Sequence, residues 1–207
     1  MKIHQVPVGN MSNFTYVLID NTTNESAVVD PSWDLEKIIM LLEQNKTKAK
    51  YIINTHTHFD HILGNDELAA LTGAKIIQHQ NSSKPKDISV SDADRIKIGK
   101  TEIQILFTPG HSEDSVCLII DNSALVTGDT LFVGSCGRID LPGGNVDKMY
   151  DSLYNRIINL DKSLRVFPGH DYGSSPTSTI QDEIKNNPIL NFKSKESFMR
   201  YMGSDDV

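Results

Sequence analysis

"THTHFDH", residues 55–61, places three histidines and an aspartate within six positions. Whether this is a cage for a metal ion or a polar loop decides how the rest of the chain is read. The run before it, "AKYIIN" (49–54), has the pattern of a short buried strand. "NDELAALTG" (65–73) behind it reads as a helix ended by Gly73. In an extended chain His56 and His58 project to the same side, so both can bind one ion. Asp60 and His61 fall where the chain turns toward the next helix and can face a second. The spacing differs from the helical H-E-x-x-H pattern, and a short motif alone carries a real risk of coincidence. The companions of the cluster must decide.

Three other places repeat one design. "ILFTPGH" (105–111) delivers His111, "ALVTGD" (124–129) delivers Asp129 and "RVFPGH" (165–170) delivers His170. Each is an apolar, strand-like run, then a glycine, then one side chain able to ligate a metal. A rigid strand fixes the position and the loop after it exposes the ligand. The full set is His56, His58, Asp60, His61, His111, Asp129 and His170. Five imidazoles and two carboxylates can serve two ions with Asp129 between them, or one ion with the remainder around it. Zinc, iron and manganese all accept these donors.

Around these motifs the chain alternates. "KIHQVPV", "NFTYVLID" and "AVVD" read as strands, with "NTTNES" a turn. "PSWDLEKIIMLLEQN" reads as a helix with Leu35, Ile38, Ile39 and Leu42 on its apolar face. Strands dominate the middle. A helix follows over "NVDKMYDSLYNRIINL", with Met149, Leu153, Ile157 and Leu160 aligned, and two short helices close the chain. This mixture predicts two sheets packed face to face with helices outside, in a single domain over residues 1–207.

Of the 207 residues, 38% are hydrophobic and 23% charged, and the net charge is −7. That balance argues against a nucleic-acid or anionic-membrane partner, both of which need a basic face. Two cysteines are too few for a disulfide framework. No apolar run approaches membrane-helix length, and "MKIHQVPVGN" has no signal-peptide core. A cytoplasmic location is expected.

The ligand set resembles that of the metallo-β-lactamase superfamily. Its H-x-H-x-D-H motif matches His56, His58, Asp60 and His61, and its later ligands match His111, Asp129 and His170. The resemblance spans nearly the whole chain. It implies an α/β (α+β) four-layer αβ/βα sandwich, two mixed β-sheets with helices outside and the site at one edge.

Two branches of the family compete. "CGRIDLPGG", "PGHDYG", "TSTIQDE", "NNP" and the tail "F..YMG" look like the persulfide dioxygenase branch. "TGDTLFVGSCGR" is similar to a signature of glyoxalase II, the hydroxyacylglutathione hydrolase. Thirty-seven residues follow His170, where two-domain glyoxalase II enzymes continue into a longer helical domain; this leans toward the dioxygenase. Phe59 leans the other way, since dioxygenases carry a small residue there. The leading expectation is thus an Fe(II) enzyme oxidising a small thiol's persulfide, with iron on His56, His111 and Asp129. His58, Asp60, His61 and His170 would then orient ligands or hold a second metal. The alternative is a thioester hydrolase with two zinc, iron or manganese ions on all seven residues. Asp60 and Asp129 are the catalytic carboxylates on these readings.

The resemblance also implies a cation for the substrate carboxylate, and Arg138 stands in that loop. The competing reading is a structural Arg138–Asp140 pair. Tyr172 either lines the pocket or packs. The partner expected is a small thiol-derived molecule, with monomer and homodimer both open. Cys117 reads as a buried apolar residue, and Cys136 lies near the site loop.

Overall fold

The computed structural model describes residues 1–203. Six strands build the first sheet in chain order: β1 (Lys2–Val8), β2 (Asn13–Ile19), β3 (Ser26–Val29), β4 (Ala49–Ile53), β5 (Lys75–His79) and β6 (Ile88–Val90). The first three are antiparallel, and β3 to β6 run parallel. Helices α1 (Leu35–Gln44), α2 (Phe59–Ile62) and α3 (Asn65–Thr72) fill the crossovers. The second sheet has the order β12–β11–β10–β9–β8–β7: β7 (Arg95–Ile98), β8 (Thr101–Phe107), β9 (Val116–Ile120), β10 (Ala124–Gly128), β11 (Arg165–Pro168) and β12 (Ser178–Thr179). Only β10 and β11 are parallel there.

The layering follows from period-two alternation in strands buried on both faces. In β2, Phe14, Tyr16 and Leu18 join a central cluster with Val116, Leu118 and Ile120 of β9, between the sheets. Val17 and Ile19 turn the other way, onto Leu35, Ile38 and Leu42 of α1 and Leu68 of α3. Cys117 and Ile119 likewise turn outward. They meet Met149, Leu153 and Ile157, together with Ile180 of α5 (Ile180–Asn186) and Phe198 of α6 (Lys195–Met202). The result is the helix–sheet–sheet–helix sandwich expected from the sequence.

The helix expected over residues 145–160 keeps its buried stripe but changes pitch. It is α-helical as α4 (Val146–Tyr150), widens to a π-helix over Asp151–Arg156 and tightens to 3₁₀ over Ile157–Asn159. The widened turn is tied to the loop that carries His111: Ser152 Oγ donates to the Pro109 carbonyl at 2.6 Å, and the Arg156 guanidinium donates to the Phe107 carbonyl. Such local departures from α geometry are frequent beside functional sites. The sequence reading missed the short strands β6 and β12. Neither is long enough to show a periodic pattern.

Candidate metal centre

Every ligand-bearing loop leaves the carboxyl end of a strand, and the loops converge where the two sheets meet. The segment after β4 carries His56 to His61, and the loop after β8 carries His111. Asp129 follows β10 and His170 follows β11. Backbone bonds stitch the edge closed. Phe14 N–H donates to Gly169 O, Val116 N–H to Thr55 O and Gly169 N–H to Gly128 O, each at 2.8 Å. A parallel sheet offers its cavity at this end of its strands.

The glycine before each ligand has a mechanical reason at two positions. Gly128 has φ +49°, and a Cβ there would lie 2.4 Å from Thr55 Oγ1. At Gly169 a Cβ would lie 2.2 Å from Asp129 Oδ1, so any side chain would displace the carboxylate. Glycine alone permits both arrangements.

All seven predicted ligands come together. All are buried except His58, which is half-buried. They form two triads. The first is His56, His58 and His111; the second is Asp60, His61 and His170. In the first, His58 Nδ1 and His111 Nε2 face each other at 2.8 Å. In the second, His61 Nε2 and His170 Nε2 are 3.2 Å apart, and Asp60 Oδ2 is 3.4 Å from each. Asp129 joins the two triads. Its Oδ1 lies 3.4 Å from His61 Nε2, and its Oδ2 lies 3.3 Å from His170 Nε2 and 3.5 Å from His111 Nε2. Two donors about 2.0–2.1 Å from a tetrahedral ion are separated by about 3.3 Å. The five separations around the second triad, 3.2 to 3.4 Å, are the edges of such a polyhedron.

The donor set also fits a metal by its unmet valence. His56 Nε2 and Asp129 Oδ1 are buried without a hydrogen-bond partner, which is costly unless something else satisfies them. The outward nitrogens of the rings are fixed. His111 Nδ1 meets Arg138 O at 2.7 Å, His170 Nδ1 meets Met11 O at 2.8 Å and His61 Nδ1 meets Asp30 Oδ2 at 3.1 Å. Such partners set the tautomer and aim the free nitrogen inward.

The two triads differ in protonation. Burial holds His56 and His58 below the ordinary imidazole value, and neighbouring histidines add to it. Burial also depresses His170, but its bonds to Asp129 and Asp60 outweigh it and push the ring up to about 9. His61 is raised in the same way, Asp129 and Asp30 overcoming burial. Burial raises both Asp60 and Asp129, yet the adjacent His61 and His170 rings bring both below the usual carboxylate range.

Metal ligation needs neutral imidazole, so a proton bound to the apo site competes with the ion. His56 and His58 are held neutral near neutral pH, whereas the second triad must release protons from His61 and His170. Those protons support the metal-free fold below pH 6.5, and the contribution of His170 fades as pH rises through about 9. The affinity of the second ion is therefore expected to climb between pH 6.5 and 9. Calorimetry in buffers of different ionisation enthalpy measures this directly, as protons released when the second ion binds.

Three positioning residues escaped the sequence reading. Asp30, buried after β3, accepts from Thr55 N–H at 2.7 Å and from Thr55 Oγ1, and faces His61. Asn13 Nδ2 donates to Asp60 Oδ2 at 2.9 Å. Asp114 accepts from Thr57 Oγ1. The signal for Asp30 was present: "AVVD" ends a buried strand with a carboxylate, as "ALVTGD" does.

Arg138 and Tyr172 both line the cavity, about 810 Å³ in volume, that opens over the ligands. The Arg138 guanidinium donates through Nε and Nη2 to the Asp140 carboxylate, the pair that the structural reading of this residue expected. Tyr172 stacks on the His170 ring with centroids 4.7 Å apart. Phe59 does not crowd the ligands. Its ring stands 62% exposed at the mouth, edge-on to Trp33. Cys136 is buried on the cavity wall, and burial pushes its thiol up to about 12; it is no nucleophile near neutral pH.

Residues 9–170 match the family model described as the metallo-beta-lactamase superfamily, and the chain belongs to that superfamily. It is 32% identical to the "Probable polyketide biosynthesis zinc-dependent hydrolase PksB" of Bacillus subtilis, over 97% of this chain and 92% of that protein. It is 31% identical to human "Persulfide dioxygenase ETHE1, mitochondrial", over 92% of this chain and 76% of that one. The solved structure of ETHE1 from Myxococcus xanthus superposes with a TM-score of 0.95 at 29% identity, covering all of this chain and 92% of that one. No helix among the described residues is long and apolar enough to cross a membrane.

Proposed function

We propose that this chain is a metal-dependent enzyme acting on a small thiol derivative, and that its site takes two ions and hydrolyses a thioester. The observation that carries this reading is the second triad. Asp60, His61 and His170 stand with Asp129 at the separations a tetrahedral ion requires. Likeness to the zinc-dependent hydrolase PksB over nearly the full length of both proteins supports it.

Bound ions would supply a nucleophilic water at neutral pH and polarise the substrate carbonyl. His56, His58 and His111 would hold one, and Asp60, His61 and His170 the other, with Asp129 shared. The chain's own residues do the remainder. Asp30 and the Met11 carbonyl aim His61 and His170 inward. Asn13 steadies the Asp60 carboxylate. Ligands held by rigid strand ends keep the cavity floor preorganised.

A second reading is persulfide oxidation at one iron on His56, His111 and Asp129. The likeness to ETHE1 favours it, and two histidines with one carboxylate are a donor set that suits non-haem iron. Metal analysis of protein loaded with zinc, iron or manganese separates the two. Hydrolysis predicts two ions per chain, about 3.5–4 Å apart, and thiol release from an S-acyl thioester without oxygen uptake. One ion per chain with oxygen consumption on a persulfide would overturn it. Asp60→Asn is expected to keep one ion, lose the other and cut thioester turnover by about 10–100-fold, at least the loss expected for an outer-shell partner.

A further inference from the structure

The cavity over the ligands has a wall that the chemistry at its floor does not call for. Apart from the ligands, Ser135, Arg138 and the hydroxyls of Tyr172 and Tyr201, its lining is mainly apolar, chiefly Met11, Phe59, Phe132, Leu141 and Ile189. Among the described residues, Arg138 is the one Lys or Arg side chain on that lining, and it is already engaged through two nitrogens by Asp140. An anionic ligand that sought the two-pronged edge through Nε and Nη2 would compete with that carboxylate.

Phe59 stands out within this wall. The helical turn α2 buries Asp60 and His61 and turns Phe59 outward, with Leu63 four residues on beside it. Phe59 is 62% exposed and Leu63 56%. The Phe59 ring nevertheless has an aromatic neighbour: it stands perpendicular to Trp33 at a centroid distance of 6.3 Å. A large ring left uncovered on the rim of a cavity that contains the ligands is a contact surface awaiting a partner.

We propose that the substrate carries an uncharged, apolar organic group on its sulfur, and that Phe59 determines the preference for it. This rests on the reading of the site as one for thiol derivatives and names the class. The apolar group lies along Phe59 and Ile189 with its sulfur toward the ligands. The thiol carrier needs no carboxylates for binding.

Trp33, the chain's single tryptophan, reports on this wall. The test titrates metal-loaded protein with S-alkyl-N-acetylcysteamine thioethers from methyl to octyl, which carry no carboxylate and cannot be hydrolysed, following Trp33 fluorescence. Affinity is expected to rise about three- to fourfold per methylene over the first several carbons, as burial of a CH₂ dictates. Phe59→Ala is expected to weaken the octyl compound about tenfold and flatten the series with bound metal unchanged. Phe59→Leu should recover most of the loss.

Affinity independent of chain length would overturn the proposal. So would S-alkylglutathiones binding more than tenfold tighter than their neutral counterparts. Self-association abolished by Phe59→Ala, without any chain-length dependence, would assign the wall to contact between two copies and overturn it as well. If Phe59→Ala loses metal, the wild-type series and Phe59→Leu still decide. Absence of thioester hydrolysis with the chain-length series intact would refute the hydrolase reading and leave this one standing.

Discussion

Asp129→Ala is expected to bind neither ion tightly and to lose more than 10³-fold in turnover, whichever reaction the site performs. Its two oxygens reach three imidazoles drawn from both triads, so a single truncation removes a donor from each. Changing an outer-shell partner of a metal typically costs about 10–100-fold, and removing a shared direct donor must exceed that. The metal-free variant should fold, although less stably, because His61 and His170 lose the carboxylate that favours their protonated forms. Two measurements check the prediction. Metal content after dialysis should fall toward zero, and added zinc should no longer raise the melting temperature, as it must when an ion binds only the native state. A variant that retains two ions at wild-type affinity would remove Asp129 from the site.

Asp30→Ala is expected to have the second-largest effect, and it acts through two routes. Asp30 is 3% exposed and accepts from Thr55 N–H, Thr55 Oγ1 and the His61 ring. Truncation strands those donors in the interior, which costs about 1–3 kcal/mol per buried group. A loss of about 3–5 kcal/mol is expected, read as a lowered denaturant midpoint at unchanged slope. The second route is functional. His61 loses the partner that fixes its ring, so the second ion should bind about 10–100-fold more weakly while the first is held nearly as before. Asp30→Asn separates the routes. It can still accept from Thr55, so most of the stability should return, while the histidine loses its anionic partner and the second site stays weak. Equal loss of both ions in Asp30→Asn would mean that Asp30 does not act through His61.

What could be read before any coordinates, and what could not, divides along a physical line. Short, nearly continuous apolar runs such as "YVLI" and "VCLII" already pointed to buried strands, and Leu35, Ile38 and Leu42 to a helix with one apolar face. The ligands were legible because each follows a buried strand and a glycine, and chemistry restricts the residue type at such a place. The pitch change over residues 151–159 was not legible. Its cause is the tie from Ser152 to Pro109 and from Arg156 to Phe107, more than forty positions away. The Arg138–Asp140 pair was one of two readings open in the sequence, and the contact between the two side chains decided that it forms.

The sequence by itself determined the period of each element and the inventory of donors, because those depend on neighbours along the chain. Only the tertiary structure decided the grouping into two triads, the position of Asp129 between them, the support from Asp30 and Asn13, and the outward stance of Phe59. Each of these depends on distances between segments that the polymer leaves far apart, and those distances exist only once the two sheets have closed on a common core.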